Sequence, residues 1–415
     1  MYVTRPLSLY RDSSVSASAS EEGPNTGVLV MEDEGLEKRW FCGKVLPFPQ
    51  NKILELCYVR GRSANSHCFE AMVIPVINQL PSNTISSILI PIALLGISFL
   101  FLLLYSEILT ILLNFNFSLK SFVVFNNASF SFNYRLIYTS SKEEDMCSCC
   151  CDNIIQDIRP QLFDPRNVYQ QFQINYFTES LHNFKAKSMA PDGVPPYLLR
   201  QVWRARTKTL KNFKATPALG VNAALRACFP NLDSAANPVV VGKWYCPFIF
   251  IREGEVGAQM RDSAYYEMTL QQNWEEIHGC YNDDDNNYDN NGHVAVDVSV
   301  RRETVLVGGV SMATKRVAVS DGVMWFGATL ELGLSMAIVE RMKWEEERVG
   351  FVWGKSNEDG EIERVVRREE FKGKGMWKRF RCYVLVERFV LERMNGTLVL
   401  TWEFRQTHRI RTKWE

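Results

Sequence analysis

Short apolar runs, broken by clusters of turn residues, set the pattern at the start of the chain. In residues 1–82, GVLVMED, ILELCYV and FEAMVIPVI have the length of strands and lie between Gly, Pro, Asn and Ser clusters, which predicts short strands and turns. Residues 139–196 are irregular and punctuated by proline; in FDPRNVYQQF, Asp164 can cap a short helix and Pro165 suits its first position. From Pro196 the spacing turns helical. Leu198, Leu199, Val202 and Trp203 share a face in YLLRQVWRARTKTL, and ALGVNAALRACF predicts a second, shorter helix. VVVGKWYCPFIFI then reads as a buried strand, and AYYEMTLQQNWEE alternates so that Tyr266, Met268, Leu270 and Trp274 fall on one side.

Residues 282–292, NDDDNNYDNNG, form a polar low-complexity loop and a boundary. Beyond it VAVDVSV and TVLVGGV read as strands. LGLSMAIVERMKWEEER reads as a helix with Leu334, Ala337, Ile338 and Met342 on its apolar stripe and Glu and Arg opposite. RCYVLVERFVLERM and TLVLTWEF are two strands joined at Asn395–Gly396, residues that supply the positive φ angles of a tight hairpin turn. GKWYCPFIFIRE and KRFRCYVLVERF also share a basic residue, an aromatic, a cysteine and a strand, and each is followed by a strand closing on Trp-Glu. This predicts a pseudo-duplicated helix-plus-hairpin unit.

One segment breaks the pattern. ILIPIALLGISFLFLLLY lies within an uncharged run from Thr84 to Ser106, long enough for a transmembrane helix across roughly 30 Å of hydrocarbon. Its flanks lack the Lys/Arg bias that orients a span, and Tyr105 is its lone candidate interfacial anchor. The same Phe, Leu, Ile, Ser and Asn style continues to Tyr138, with Glu107, Lys120 and Arg135 as its charges. Codons rich in U give this composition, so a retained intron is the expectation for residues 83–138, with a genuine single-pass span over 84–106 as the alternative.

Formal net charge is zero, so no whole-molecule field steers the chain to nucleic acid or an anionic membrane. No secretory signal opens the sequence, and the 11 cysteines show no framework spacing, which predicts reduced thiols in cytoplasm or nucleus. The CSCCC run at Cys147, Cys149, Cys150 and Cys151 lacks the second ligand pair a zinc site needs. The acidic loop starting at Asn287 puts Gly292 at the sixth position of a calcium loop but Val298 where a bidentate Glu belongs. GLSMA approximates a nucleophile elbow at Ser335, with His278, His293 and His408 as unassigned partners. There is no P-loop and no G-x-G-x-x-G. Basic residues cluster at Arg200, Arg204, Arg206, Lys208, Lys211 and Lys214, and again in the last 55 residues among Trp377, Phe380, Tyr383 and Trp402. Such patches suit nucleic acid or phosphoinositides, and equally a solvated helix face or a guarded sheet edge.

Several blocks are familiar together: MYVTRPLS, EEGPNTG, LPFPQNK, SKEEDMCSCC, APDGVPPYLLR, VVVGKWYCPF, LSMAIVERMKWEEER, and CYVLVERFVLERMNGTLVL. They resemble a plant-specific family of soluble proteins classed as a domain of unknown function. The resemblance implies no activity, cofactor or catalytic residue. It lapses after VIPVINQ and resumes near Thr139, which again marks the apolar segment as an insertion.

The expected fold is α+β, antiparallel and β-rich, with a few covering helices and a helical apolar insertion. The expected regions are a β-rich 1–82, the insertion 83–138, an α+β region 139–281, the loop 282–292 and an α+β region 293–415. No catalytic, cofactor-binding or metal position is assigned. Trp244, Tyr245, Cys246, Phe380 and Cys382, in the two aromatic-Cys strands, are the structural or binding candidates. The expected function is a non-enzymatic intracellular binding or interaction protein, against a hydrolase using Ser335, a single-pass membrane protein, or a nucleic-acid or phosphoinositide binder. The partner is unnamed: a protein or small molecule fits, nucleic acid fits poorly, and a membrane fits only if residues 84–106 are genuine.

Overall fold

Alternating apolar positions run unusually far in this chain, and they build long antiparallel strands. The computed structural model describes residues 1–6, 23–31, 52–58, 71–72, 74–75, 87–89, 122–123, 136–149 and 152–415, the last stretch except 165, 177–182, 202, 210–215, 233–236, 256–257, 260–261, 283–291, 313–317, 328–331, 354–361 and 375. The chain divides into two units, Met1–Ala218 with Tyr245–Tyr265 and Ser335–Arg341, and Leu219–Trp244 with Tyr266–Leu334 and Met342–Glu415.

In the first unit Tyr2–Pro6 runs parallel to Gly27–Met31, which runs parallel to Ser87–Leu89, while Tyr2 faces Tyr245 in antiparallel register. Gly27 is required beside Tyr2, because a Cβ there would lie 2.2 Å from the tyrosine ring. A second sheet has the order Ala71–Met72, Lys52–Tyr58, Trp203–Thr209, Asn183–Ser188, Phe172–Tyr176, Phe122–Val123, Ile74–Pro75. The helix expected in YLLRQVWRARTKTL shrinks to α1 (Tyr197–Arg200), and Trp203–Thr209 is a strand paired with Lys52–Tyr58. WRARTKT alternates with period two, and the β-branched threonines favour that geometry. The expected helical insertion also meets strands where it is described, at Ser87–Leu89 and Phe122–Val123. The rest of the candidate span 84–106 lies outside the described residues.

The second unit is organised by one antiparallel sheet. Its strands are β1 (Val239–Pro247), β2 (Tyr265–Tyr281), β3 (His293–Arg301), β4 (Glu303–Val307), β5 (Val310–Met312), β6 (Ile362–Glu370), β7 (Arg379–Arg393) and β8 (Leu398–Trp414). The sheet order is β5-β4-β8-β7-β2-β1, and β3 pairs with β6 as a separate ribbon. The helices are α2 (Ala223–Cys228), capped by the Asn222 side chain, and α3 (Met336–Glu347). The fold is thus predominantly antiparallel β, and the expected α+β class with covering helices is overturned: among the described residues the helices are short or few, and strands carry the architecture. The pseudo-duplicated unit is not built as expected either. The segment ahead of β7 is the strand β6.

Face identity follows from register. On β7, Arg379, Arg381, Tyr383, Leu385, Glu387, Phe389 and Leu391 share one face, with Tyr281, Gly279, Glu276, Trp274, Gln272, Leu270 and Met268 opposite them on β2. The intervening Phe380 and Cys382 face the other way, onto Val294 and Val296 of β3 and onto Trp377. Two irregularities break the ladder at neighbouring places. β2 gains a residue between Glu276 and His278, and β8 gains three between Gln406 and Ile410. Bulges of this kind bend a strand and re-aim its side chains.

The hairpin turns are assigned differently from expectation. Between β7 and β8, Gly396 N donates to Arg393 O at 2.8 Å and Arg393 N to Thr397 O at 2.9 Å, and Gly396 has φ 81°. This is a three-residue loop with a glycine bulge, not a tight Asn-Gly turn with two positive φ angles. That tighter geometry belongs to Asp321–Gly322, with φ 50° and 69°, where Ser320 faces Val323.

Candidate functional site

The β2-β7-β8 face changes character along its length. At one end Met268, Leu270, Phe389, Leu391, Trp402 and Phe404 form a buried apolar core. In the middle lies a buried charged network, and at the far end a row of partly exposed cations, several of them ion-paired.

The network begins with α2, a helix whose one buried residue is Arg226. Its Nε donates to Glu387 Oε1 at 2.8 Å, its Nη2 to Glu387 Oε2, and its Nη1 to Glu345 Oε2 at 3.2 Å. Glu346 Oε1 lies 3.5 Å from Nη2. Gln272 Nε2 donates to Glu387 Oε1 at 2.6 Å and to Arg226 O at 3.1 Å, and Gln406 Nε2 donates to Glu346 Oε2 at 2.7 Å. Glu345 and Glu346 on α3 are fully buried, and Glu387 is almost so. The expectation that the glutamates of this helix face outward therefore fails at both positions.

Arg226 contacts all three carboxylates, and the half-exposed Arg348 also reaches Glu345 at 3.5 Å. Burial first, then the Glu387 charge, lifts the Glu346 carboxyl well above its ordinary range, against the pull of Arg226. This favours the neutral form of the Glu346 carboxyl relative to an ordinary one. Burial alone would lower the Arg226 pKa, but the Glu387 hydrogen bond and the carboxylate charges outweigh it and raise it. A carboxylic acid held neutral beside a carboxylate is acid–base machinery in principle. Here it is sealed from solvent.

Beyond Trp274 and Tyr383 the cover ends. Trp274 Nε1 donates to Pro230 O at 2.8 Å, and Phe229 and Leu232 pack on Trp274, Tyr383 and Leu385. Phe229 has φ 53°, a left-handed conformation costing a non-glycine residue about 1–3 kcal/mol. Its ring carries Arg409 at 5.5 Å and Arg411 at 5.6 Å, and Arg411 also lies 5.0 Å from the Trp274 ring. Further out, Arg379 lies over Tyr281 at 5.2 Å and Arg381 over Tyr383 at 5.9 Å. Arg379 is paired with Glu276, and Arg381 and Lys413 share Glu415. Arg409 and Arg411, both exposed, have no carboxylate partner among the described residues.

The residues singled out from sequence are in the interior. Trp244, Tyr245, Cys246, Phe380 and Cys382 are all fully buried. Trp244 packs on Phe389 with ring centroids 6.2 Å apart, and Tyr245 Oη accepts from Thr216 N at 2.7 Å. Burial pushes the Cys246 and Cys382 thiols up to about 11. Ser335 ends the strand Leu332–Ser335 ahead of α3, is 6% exposed, and its Oγ accepts from Ala337 N at 3.4 Å, as a helix-start residue does. His408 is bonded to Val349 O at 3.1 Å and His278 packs on Phe380. Cys147 and Cys149 lie on the strand Met146–Cys149, while Asn287 falls outside the described residues. Arg204, Arg206 and Lys208 lie along Trp203–Thr209, while Lys211 and Lys214 are outside them. The Arg226 network had no distinct sequence signal, because its partners are far away in the chain, whereas Arg409 and Arg411 lie in the basic stretch of the last 55 residues.

Residues 22–87 match a family described as "Protein of unknown function (DUF1262)". No curated protein matches the chain. Among solved structures the chain is similar to one titled "Crystal structure of Cry35Ab1", with a TM-score of 0.40 and 10% identity over 88% of this chain and 90% of that one, a likeness too low to assign fold or activity. Among the described residues no helix is long and apolar enough to cross a membrane.

Proposed function

We propose that this chain is a non-enzymatic intracellular binding protein that engages an anionic protein partner through the open cationic end of the β2-β7-β8 face. The observation that carries the reading is the Arg409–Arg411 pair, held over the strained Phe229 ring and lacking any carboxylate partner among the described residues. Guanidinium groups braced on aromatics keep their donor edges free for carboxylates. The free thiols of Cys228, Cys246, Cys280 and Cys382 support an intracellular setting. The full burial of Glu346, whose carboxyl is raised well above its ordinary range, supports a non-enzymatic one.

The test compares binding of labelled poly-glutamate, single-stranded RNA and phosphatidylserine vesicles to the wild type and to an Arg409→Glu/Arg411→Glu variant. Poly-glutamate binding that weakens with salt and disappears in the variant supports the reading. Preference for the RNA or the vesicles, lost in the same variant, replaces the protein partner with that class. No binding of any probe at low salt removes the reading. Plant origin and an intron origin for residues 83–138 belong to the same reading. The tryptic peptide SFVVFNNASFSFNYR, wholly inside that segment, decides the second: its detection in endogenous protein makes the segment real and reopens the single-pass alternative.

A further inference from the structure

Phe229 holds a backbone conformation that local sterics do not ask for. It closes α2 and precedes Pro230. A residue before proline is pushed out of the helical region toward extended ψ, and the Phe229 ψ of 148° agrees. Its φ of 53° does not follow, because negative φ stays open to a pre-proline residue. The combination borders a region populated almost entirely by glycine, where another residue persists only if its surroundings fix it. Here they fix it from both sides. Three residues earlier, Arg226 is held by Glu387 and Glu345. Immediately after, Pro230 O accepts from Trp274 Nε1 at 2.8 Å.

This conformation places two aromatic supports. The Phe229 ring stands edge-on to Trp274, with centroids 6.3 Å apart. Arg409 comes from the bulged segment of β8, and Arg411 from its paired ladder opposite Tyr383. Both nevertheless meet the same Phe229 ring, at 5.5 Å and 5.6 Å, and Arg411 also meets the Trp274 ring at 5.0 Å. One dipeptide thus sets both rings: Phe229 through its own backbone, Trp274 through the Pro230 carbonyl.

We propose that Phe229 is a positioning residue for anion recognition, its strained backbone seating the ring that gathers Arg409 and Arg411 into one preorganised pair. This role rests on the functional reading above and deepens it by naming the residue that tunes the site. An arginine free to rotate loses rotamer entropy when it takes a carboxylate, whereas one already held on a ring loses less. Backbone strain in the free protein is then the counterpart of tighter binding. A residue needed only to close α2 would be better served by glycine, which accepts positive φ without a Cβ penalty. The brace carries no charge, so its loss acts on dissociation and leaves encounter and salt dependence in place.

The probe is labelled poly-glutamate, titrated with the full chain at several salt concentrations. Phe229→Leu keeps apolar bulk against Trp274 and removes the π face. Its affinity is expected to fall about tenfold through faster release, with the wild-type salt slope. Phe229→Tyr restores a π face and should bind within about twofold of the wild type. Phe229→Gly suits the positive φ, removes the ring and should fall as far as Phe229→Leu. Wild-type affinity in Phe229→Leu or Phe229→Gly, with binding still lost in Arg409→Glu/Arg411→Glu, overturns the positioning role and leaves the functional reading standing. A loss in Phe229→Tyr equal to that in Phe229→Leu overturns it too, as does a shallower salt slope in Phe229→Leu. No binding by the wild type overturns both. If Phe229→Leu does not fold, Phe229→Gly and Phe229→Tyr decide.

Discussion

Arg226 holds Glu387 with two donors on one guanidinium edge, Nε to Oε1 at 2.8 Å and Nη2 to Oε2. The same side chain reaches Glu345, so one helical residue neutralises carboxylates from α3 and β7. Removing it leaves buried charges uncompensated. Arg226→Met is expected to cost about 3–5 kcal/mol of unfolding free energy. Arg226→Lys should recover only part of it, because an ammonium cannot make the two-donor contact. Denaturant melts of both variants measure this, and a loss for Arg226→Met within that of an ordinary surface substitution would refute it.

Glu346 gives a pH dependence with a definite sign. Its native pKa is raised above the ordinary 4.5 by burial first and by Glu387 second. Above that ordinary value the unfolded chain has released a proton that the native state still holds. Its contribution is therefore full below pH 4.5 and is lost as pH rises toward the raised native value, at up to about 1.4 kcal/mol per pH unit. Glu346→Gln keeps a neutral hydrogen-bonding side chain and should flatten this decline. Unfolding midpoints of the two proteins from pH 5 to 8 make the comparison, and parallel curves would show that another group titrates.

Gly242 carries a steric requirement for Trp244. A Cβ at Gly242 would lie 2.8 Å and 3.1 Å from two Trp244 ring atoms and 3.3 Å from Leu270 Cβ. Gly242→Ala should destabilise by about 1–3 kcal/mol through overpacking. Pairing it with Trp244→Leu should recover part of that loss, and additive losses would place the strain elsewhere.

The described thiols divide by exposure. Cys228 is exposed, whereas Cys246 and Cys382 are buried with pKa values near 11. Brief alkylation of the native protein at neutral pH should modify Cys228 and spare Cys246 and Cys382, with all three modified after unfolding. Mass spectrometry of the peptides reads the pattern, and native labelling of Cys382 would contradict the packing of its cluster.

Period-two alternation was the legible part of the fold. Tyr266, Met268, Leu270 and Trp274 fall on one buried side, as the spacing in AYYEMTLQQNWEE predicts. The rule stops at the bulge after Glu276, where an extra residue shifts the pairing; Gly279, whose Cβ would lie 2.5 Å from Glu276 Oε1, is the sequence mark beside it. YLLRQVWRARTKTL misleads because Leu198, Leu199, Val202 and Trp203 fit a helical face, while the pairing of Trp203–Thr209 with Lys52–Tyr58 comes from a distant segment. The candidate site was less legible for the same reason. Arg226 looks like any surface residue of a short helix until Glu387, 161 residues away, is placed beside it. The aromatic-Cys strands pointed to the right strand, β7, but to its interior side. The part-exposed Arg379 and Arg381 stand on the opposite face of that strand from Phe380 and Cys382.

The β7–β8 hairpin also implies an order of assembly. Its strands are joined by a short loop, so its ladder can zip from the Arg393–Gly396 turn with little loop-closure entropy. Docking β2 onto β7 must instead bring together residues such as Gln272 and Glu387, 115 apart in the chain. Contacts of such separation form slowly. The hairpin should thus serve as an early template on which β2 condenses, with the Arg226 contact to Glu387 closing afterwards as a latch. Substitutions in the hairpin should then slow refolding, whereas loss of Arg226 should chiefly accelerate unfolding.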